Sequence, residues 1–110
     1  MNKKPTEMVQ LVHQMRPNDF EDGLLYFWLS NLEYRVFYEV FEQEAPETAS
    51  TLQVGPPHDD IYWTHLVAMV DFAMGNMEAY AHSSALAEKA WKAFRQYYHQ
   101  QKYKNEKTGG

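Results

Sequence analysis

The chain has 110 residues and a mass of 13.0 kDa, which suits one small domain. Hydrophobic residues make up 45% and aromatic residues 15% of it, a composition that disordered chains lack. The absence of cysteine excludes a disulfide framework, a thiolate zinc site and cysteine catalysis. The formal net charge of −5 argues against a general nucleic-acid binder, and no apolar run is long enough for a membrane span. The segment Met1–Gln10 has no apolar core, so we expect no signal peptide there.

Charge is distributed unevenly along the chain. Residues 18–60 contain ten acidic residues against Arg35 alone, whereas residues 77–110 contain six basic residues against three acidic ones. Two interpretations stay open. Solvated charge keeps a small protein soluble. Alternatively, the acidic middle of one copy contacts the basic end of another, because unlike charges steer such contacts.

The first helix is predicted over residues 5–15. Pro5 suits a first helical turn, and apolar residues follow at helical spacing as far as Met15. Pro17 ends the pattern, and either Asn18 or Asp19 is expected to cap the next helix.

The second helix is predicted over residues 20–44. Its apolar residues recur at steps of three and four, and their arc is wide enough to face more than one neighbour. The central stripe consists of Leu25, Leu29, Leu32, Val36 and Val40.

A loop is predicted over residues 45–58, because proline and glycine punctuate this stretch. Within it, residues 51–54 alternate in polarity, which indicates a short extended arm. Loops of this length are usually functional or mobile.

The third helix is predicted over residues 59–74, with Asp59 or Asp60 as its cap and Gly75-Asn76 as its stop. It is apolar most of the way round, which predicts a central position in a bundle.

The fourth helix is predicted over residues 77–101, where alanine is frequent. Residues 102–110 are expected to form a flexible tail. The sequence therefore predicts one all-α domain over residues 1–101, a small bundle of about four helices with a long central loop and a mobile C-terminal tail.

The histidines and carboxylates give little indication of chemistry. The densest group of potential metal ligands is His58, Asp59 and Asp60, with His65 farther along, yet a helix cap after a turn is the better explanation of these residues. His82 and Ser83 are sequence neighbours, which do not face each other on a helix. We therefore predict no catalytic residue, no metal, no cofactor and no enzyme activity; residue patterns alone indicate a small helical interaction domain.

Several motifs in combination resemble the head–tail connector, or adaptor, proteins of long-tailed phages and prophages of Gram-positive bacteria. The resemblance covers roughly residues 15–100. The resemblance breaks down after the turn at Gly75-Asn76. Family members tend to have asparagine followed by serine there, whereas this chain has Ala81-His82-Ser83-Ser84. The matching stretches are Arg16–Phe20, Trp28–Glu33, Pro57–Tyr62, Ala68–Asn76, Ala90-Trp91 and Tyr97-Tyr98.

This resemblance implies a structural virion protein of the phage neck, made in the cytoplasm of the bacterial host. Copies would form a ring, of about twelve subunits, below the portal protein. The ring would extend the DNA channel, with DNA passing through without specific binding, and would dock the next neck or tail-completion protein. It implies no membrane contact. The alternative that stays open is a small helical phage-encoded protein-binding module or regulator.

On this interpretation the charged residues become interface candidates. The candidates for the contact between subunits are Lys89, Lys92, Arg95, Glu39, Glu42 and Glu44. The candidates for the contact with the portal or neck are Tyr97, Tyr98, Lys102, Tyr103 and Lys104. Tyrosine suits such half-buried contacts.

Overall fold

Four α-helices and one π-helical segment account for most of the protein in its computed structural model. The structure describes residues 1–46 and 50–109, with side chains as far as residue 104. In the described part no β-strand occurs, so the predicted all-α class, with about four helices and a long central loop, is confirmed. The elements are α1 (Pro5–Met15), α2 (Asp22–Arg35), the π-helical segment (Val36–Phe41), α3 (Asp60–Ala73) and α4 (Met77–Gly109).

Helix α3 lies at the centre of the bundle, as its sequence predicted. It contacts α1, α2 and α4, and its buried residues are spread round most of its circumference. Most of the apolar core packs on it, from α1 residues such as Met8 and Val12 to Phe94 of α4. A helix with little polar surface is stable only when neighbours cover it on several sides.

The start of α2 differs from the prediction. The helix begins at Asp22, and neither Asn18 nor Asp19 caps it. Instead Asn18 holds the preceding turn, since its Oδ1 accepts a hydrogen bond from Phe20 N at 3.0 Å and its Nδ2 donates to Arg16 O at 2.9 Å. Both polar groups of the Asn18 side chain therefore bind backbone groups of this turn, so neither is available to cap α2.

The end of this helical stretch also differs, because it stops at Phe41 instead of residue 44. Glu42 adopts a left-handed backbone with φ of 56°, and Gln43 N donates to Phe37 O at 2.9 Å. A left-handed residue closes a helix, which is usually the role of glycine. The sequence has no glycine at this position, so the predicted helix continued to residue 44.

Helix α4 continues to Gly109, eight residues past the predicted end at Gln101. Residues 102–109 contain lysine, glutamate and asparagine but no proline, and glycine occurs only at the end, so nothing in them breaks a helix. Residues 102–109 of the predicted mobile tail are thus helical and continue α4, and residue 110 lies outside the described residues. A helical end does not contradict the predicted mobility of this tail. The 33 residues of α4, at about 1.5 Å each, match the 51 Å long axis of the molecule.

The described part of the central loop is a packed strap, residues 50–57, as the alternating polarity of residues 51–54 predicted. Leu52 and Val54 are buried, whereas Gln53 is exposed. Leu52 is held on both sides by the N-terminus, because Leu52 N donates to Lys3 O at 2.9 Å and Asn2 Nδ2 donates to Leu52 O at 2.9 Å. Residues 47–49 of the predicted loop lie outside the described residues.

The predicted stop of α3 is correct. Gly75 has φ of 76°, a conformation that side chains with a Cβ rarely adopt, and the chain reverses there into α4. Asn76 then caps α4, since its Oδ1 accepts a hydrogen bond from Ala79 N at 3.2 Å.

Candidate protein interaction surface

The outward face of α4 is basic. Lys89, Lys92 and Arg95 are all exposed on it, and Lys102 and His99 extend the same stripe. Lys92 lies 3.3 Å from Glu88 one turn away. Among the ion pairs of the described residues, none involves Lys89 or Arg95. These two charges are therefore available to a partner.

The acidic candidates at the end of α2 are differently placed. Glu39 Oε2 lies 2.6 Å from Arg35 Nε, and Glu42 Oε2 lies 3.3 Å from Lys102 Nζ. Glu44 is exposed in the chain that follows. Exposed pairs of this kind contribute little stability, but they offset part of the charge that a partner would meet. The structure thus joins Glu42 and Lys102, which the sequence had assigned to two different contacts, within one chain.

The tyrosines near the C-terminus have unequal roles. Tyr98 is partly buried, with its ring centroid 5.0 Å from that of Phe41. Tyr97 is 48% exposed and its other face packs on His58, at a centroid distance of 4.7 Å. Tyr103 and Lys104 are exposed near the end of the described side chains. Tyr98 therefore belongs mainly to the core, whereas Tyr97 keeps one face for contact.

A buried polar cluster that the sequence patterns did not indicate joins two of the matching stretches to the segment where the resemblance departs. Asp71, which is 1% exposed, accepts a hydrogen bond from Ser83 Oγ at 2.8 Å through Oδ2. Its Oδ1 lies 2.9 Å from Arg16 Nε. Arg16, Asp71 and Ser83 come from the α1–α2 turn, α3 and α4, so the cluster fixes the relative positions of these elements. In the sequence, the only indication of this cluster was Asp71 itself, a single charged residue within the apolar residues 66–74.

A second buried cluster holds the strap. Tyr62 Oη donates to Glu33 Oε1 at 2.7 Å and accepts from Val54 N at 3.0 Å, while Glu33 Oε2 accepts from Gln53 N at 3.0 Å. Burial raises the pKa of Glu33, although its two hydrogen bonds oppose the shift. Burial and the adjacent Glu33 carboxylate raise the pKa of Tyr62, so its hydroxyl stays protonated and serves as the donor.

His65 lies in a cavity of about 210 Å³ between α2, α3 and α4. Burial, together with the nearby Arg35 guanidinium, lowers the pKa of His65 to about 4. Arg35 itself lies over the Trp91 ring, with Cζ 4.7 Å from the ring centroid. The imidazole is therefore neutral at physiological pH.

The possible metal ligands noted in the sequence do not come together. Asp59 pairs with Lys3 at 3.7 Å, and His58 packs on Tyr97 and Phe94. Within residues 1–46 and 50–109, as far as their side chains are described, no group of three or more His, Asp or Glu is arranged to hold a metal ion. Across the same part of the chain, no helix has both the length and the apolar character needed to cross a membrane.

Comparison of the chain with protein-family models, with curated proteins and with solved structures finds no match. A proposal for the function therefore depends on the geometry of the described residues and on the resemblance of the motifs. That geometry offers exposed charge and exposed aromatic rings, which are features of a protein interaction surface.

Proposed function

We propose that this protein is a structural subunit of a phage head–tail connector, a ring of about twelve copies that sits below the portal. The ring extends the DNA channel and docks the next neck or tail component. The observation that carries this proposal is the outward face of α4, where Lys89 and Arg95 are exposed and lack ion-pair partners among the described residues. The acid-rich stretch that precedes α3 supplies charge of the opposite sign.

The buried cluster of Arg16, Asp71 and Ser83 supports the resemblance on which this function draws. Arg16 begins the first matching stretch and Asp71 lies in the middle of the fourth, and the ion pair at 2.9 Å joins them. Ser83 lies where the sequence departs from the expected asparagine-serine step, and it donates to Asp71 at 2.8 Å. The departure thus retains a small polar side chain that reaches the buried carboxylate.

The C-terminal end of α4 is the proposed contact with the portal or neck. Tyr97, Tyr103 and Lys104 are exposed there, and Lys102 anchors the region to Glu42 at 3.3 Å. Tyrosines with one packed and one open face suit contacts that are only partly dehydrated. Tyr98 contributes by holding α4 against Phe41.

The experiment that tests this function is the mass in solution, measured by light scattering after size exclusion, with and without a candidate portal protein. We expect a discrete species near twelve times the 13.0 kDa chain, alone or on the portal. The triple variant Lys89→Glu, Lys92→Glu, Arg95→Glu should lose that species because it reverses the basic face. A variant with Lys4→Glu, which changes an exposed lysine of the N-terminus, is the matched control.

Two outcomes would contradict the proposal. Assembly by the triple variant at the wild-type concentration would remove the basic face from the interface. A chain that stays monomeric or dimeric with every portal tested, and that binds one other protein in a one-to-one complex, would instead identify a small helical phage-encoded binding module or regulator.

A further inference from the structure

A row of large apolar side chains lies exposed along α2 and the π-helical segment. We call it the α2 stripe. Its members are Leu24 (37% exposed), Phe27 (61%), Tyr34 (51%) and Tyr38 (57%). They lie on the side of the helix opposite the buried residues Leu25, Leu29, Leu32, Val36 and Val40. Single exposed apolar residues are normal, whereas four large ones on one side of a helical stretch make that side a candidate interaction surface.

Two rings of this stripe lie nearly parallel to each other, and we call this pair the platform. Tyr34 and Tyr38, one helical turn apart, are stacked with centroids 6.3 Å apart and an interplanar angle of 20°. The faces of aromatic rings carry negative electrostatic potential and attract lysine and arginine side chains. The platform therefore favours a cationic partner.

The charge around the stripe has the same preference. Residues 21–46 contain six carboxylates and one basic residue, Arg35. That arginine is already engaged, because it pairs with Glu39 at 2.6 Å and lies over Trp91. Glu39 and Glu42 are partly offset by Arg35 and Lys102, and Glu33 is held by Tyr62, so the excess negative charge of residues 21–46 is moderate but has the sign that attracts a basic partner.

The basic stripe of α4 has the complementary character. Lys89, Lys92, Arg95 and His99 are exposed along it, and Leu86, on the same helix, is 54% exposed. Among the described residues, no ion pair, ring contact or cation–π contact joins Leu24, Phe27, Tyr34 or Tyr38 to Lys89, Lys92, Arg95 or His99. A second copy of the chain brings them together.

We infer, on the basis of the proposed ring, that the α2 stripe of one subunit binds the basic stripe of α4 in the next subunit. Arg95 and Lys92 of the second subunit lie over the Tyr34 and Tyr38 platform of the first. The contact joins two different surfaces, so each subunit keeps one free surface of each kind. Repetition of such a contact closes into a ring when its rotation divides a full turn.

Cross-linking between engineered cysteines tests this pairing, and the natural absence of cysteine leaves no competing thiol. Asn31→Cys lies on the α2 stripe between Phe27 and Tyr34, and Gln96→Cys lies on the basic stripe between Lys92 and His99; both native residues are exposed. We expect a mixture of the two single variants to form a disulfide dimer on oxidation. A chain with both cysteines should form a ladder of oligomers.

The control for proximity is Gln10→Cys on the exposed face of α1, mixed with Gln96→Cys. The control mixture should give at least about tenfold less dimer, which corresponds to about 1.4 kcal/mol. Efficient dimerisation of Asn31→Cys alone would overturn the inference, because it would place α2 against α2. Cross-linking no stronger than that of the control would overturn it as well.

A complementation experiment separates this inference from the ring itself. Tyr34→Glu with Tyr38→Glu blocks one surface, and Lys92→Glu with Arg95→Glu blocks the other. Each double variant should stay monomeric, whereas an equal mixture should form dimers and nothing larger, since only one intact junction is available. Far-UV circular dichroism checks that both variants fold, and Met77→Glu, at an apolar residue 51% exposed elsewhere, is the control.

Three results have distinct meanings. Rings formed by the tyrosine double variant would show that this pairing is wrong while the connector ring stands. Cross-linking through the two stripes without any ring, even on a portal, would support the pairing and contradict the connector function. Failure of the cysteine variants to cross-link at these positions, together with failure of the wild-type chain to assemble, would contradict both.

Discussion

At the scale of single residues, Asp71 is the most constrained polar group described. Its carboxylate is buried and is held by Ser83 Oγ and by the half-exposed Arg16. Removing one partner of such a group leaves the other without compensation for its lost hydration. The cluster therefore links the α1–α2 turn to α3 and α4 more strongly than an exposed ion pair would.

We predict that Asp71→Ala lowers the free energy of unfolding by about 2–4 kcal/mol, measured by urea denaturation. Ser83→Ala, which removes one hydrogen bond and leaves the ion pair with Arg16, should cost about 1 kcal/mol. The reverse order of the two losses would contradict the assignment of Asp71 as the centre of the cluster.

His65 gives the protein a predictable response to acid. Its pKa falls from an ordinary 6.5 to about 4 on folding, so between these values the unfolded chain binds a proton that the folded chain does not. Stability consequently rises with pH across this window and is lost as the pH falls towards 4. The raised pKa of Glu33 acts in the opposite direction, since it favours the folded state at low pH.

We predict that His65→Gln flattens this response, because glutamine cannot take up the proton. The difference in unfolding free energy between about pH 7 and about pH 4 should shrink by about 2–3 kcal/mol relative to wild type. Thermal or urea unfolding at several pH values measures it. His82→Gln, at an exposed histidine, is the control, and an equal effect of the two substitutions would argue against the cavity as the cause.

At the scale of elements, the strap at residues 50–57 depends on one hydroxyl. Tyr62 Oη joins Val54 N to the Glu33 carboxylate at 3.0 and 2.7 Å. Leu52 and Val54 add their burial against the core. The strap is thereby attached to α2, α3 and the N-terminus together.

We predict that Tyr62→Phe loosens the strap while the helices stay intact. Loss of the hydroxyl leaves the buried Val54 N–H without an acceptor, at a cost of about 1–3 kcal/mol. Amide hydrogen exchange should increase over residues 50–57 more than over α3. Tyr38→Phe, whose ring is exposed, should leave exchange in the strap unchanged.

The helices could be predicted from the sequence because their signals are local. Pro5, Gly75 and the spacing of apolar residues in α2 and α3 act within a few residues of themselves. The end of the π-helical segment at Phe41 was missed because Glu42 adopts a left-handed backbone, which no local signal indicated. The helical state of residues 102–109 was missed because chain termini are expected to fray, and that expectation placed the end of α4 at Gln101.

The interaction surfaces were less predictable. The basic face was found because Lys89, Lys92 and Arg95 share one helix at regular spacing. The α2 stripe was missed because the sequence analysis followed the apolar residues that recur at helical spacing, and only the fold shows that Phe27, Tyr34 and Tyr38 stay exposed on the other side. The pairing of Glu42 with Lys102 joins residues 60 apart in sequence, which no local pattern shows.

At the scale of the whole molecule, α4 sets the shape. Its length matches the long axis of 51 Å, while the remaining helices pack beside it within 30 and 22 Å. A subunit of this shape presents a long face on each side and a narrow end. The two stripes occupy long faces, and the proposed contact with the portal occupies an end, so the two kinds of contact do not compete for the same surface.

The π-helical segment Val36–Phe41 has a further consequence for sequence change in this protein. A π turn closes hydrogen bonds to the fifth residue along instead of the fourth, so it holds one residue more than an α turn, and here it ends the helical stretch. Loss of one exposed residue there, such as Glu39, would restore an α-helical ladder and leave Val36 and Val40 facing the core. Deletion elsewhere in α2 would rotate every later residue by about 100°. A change of length in this last turn would therefore move fewer helical residues than the same change earlier in α2.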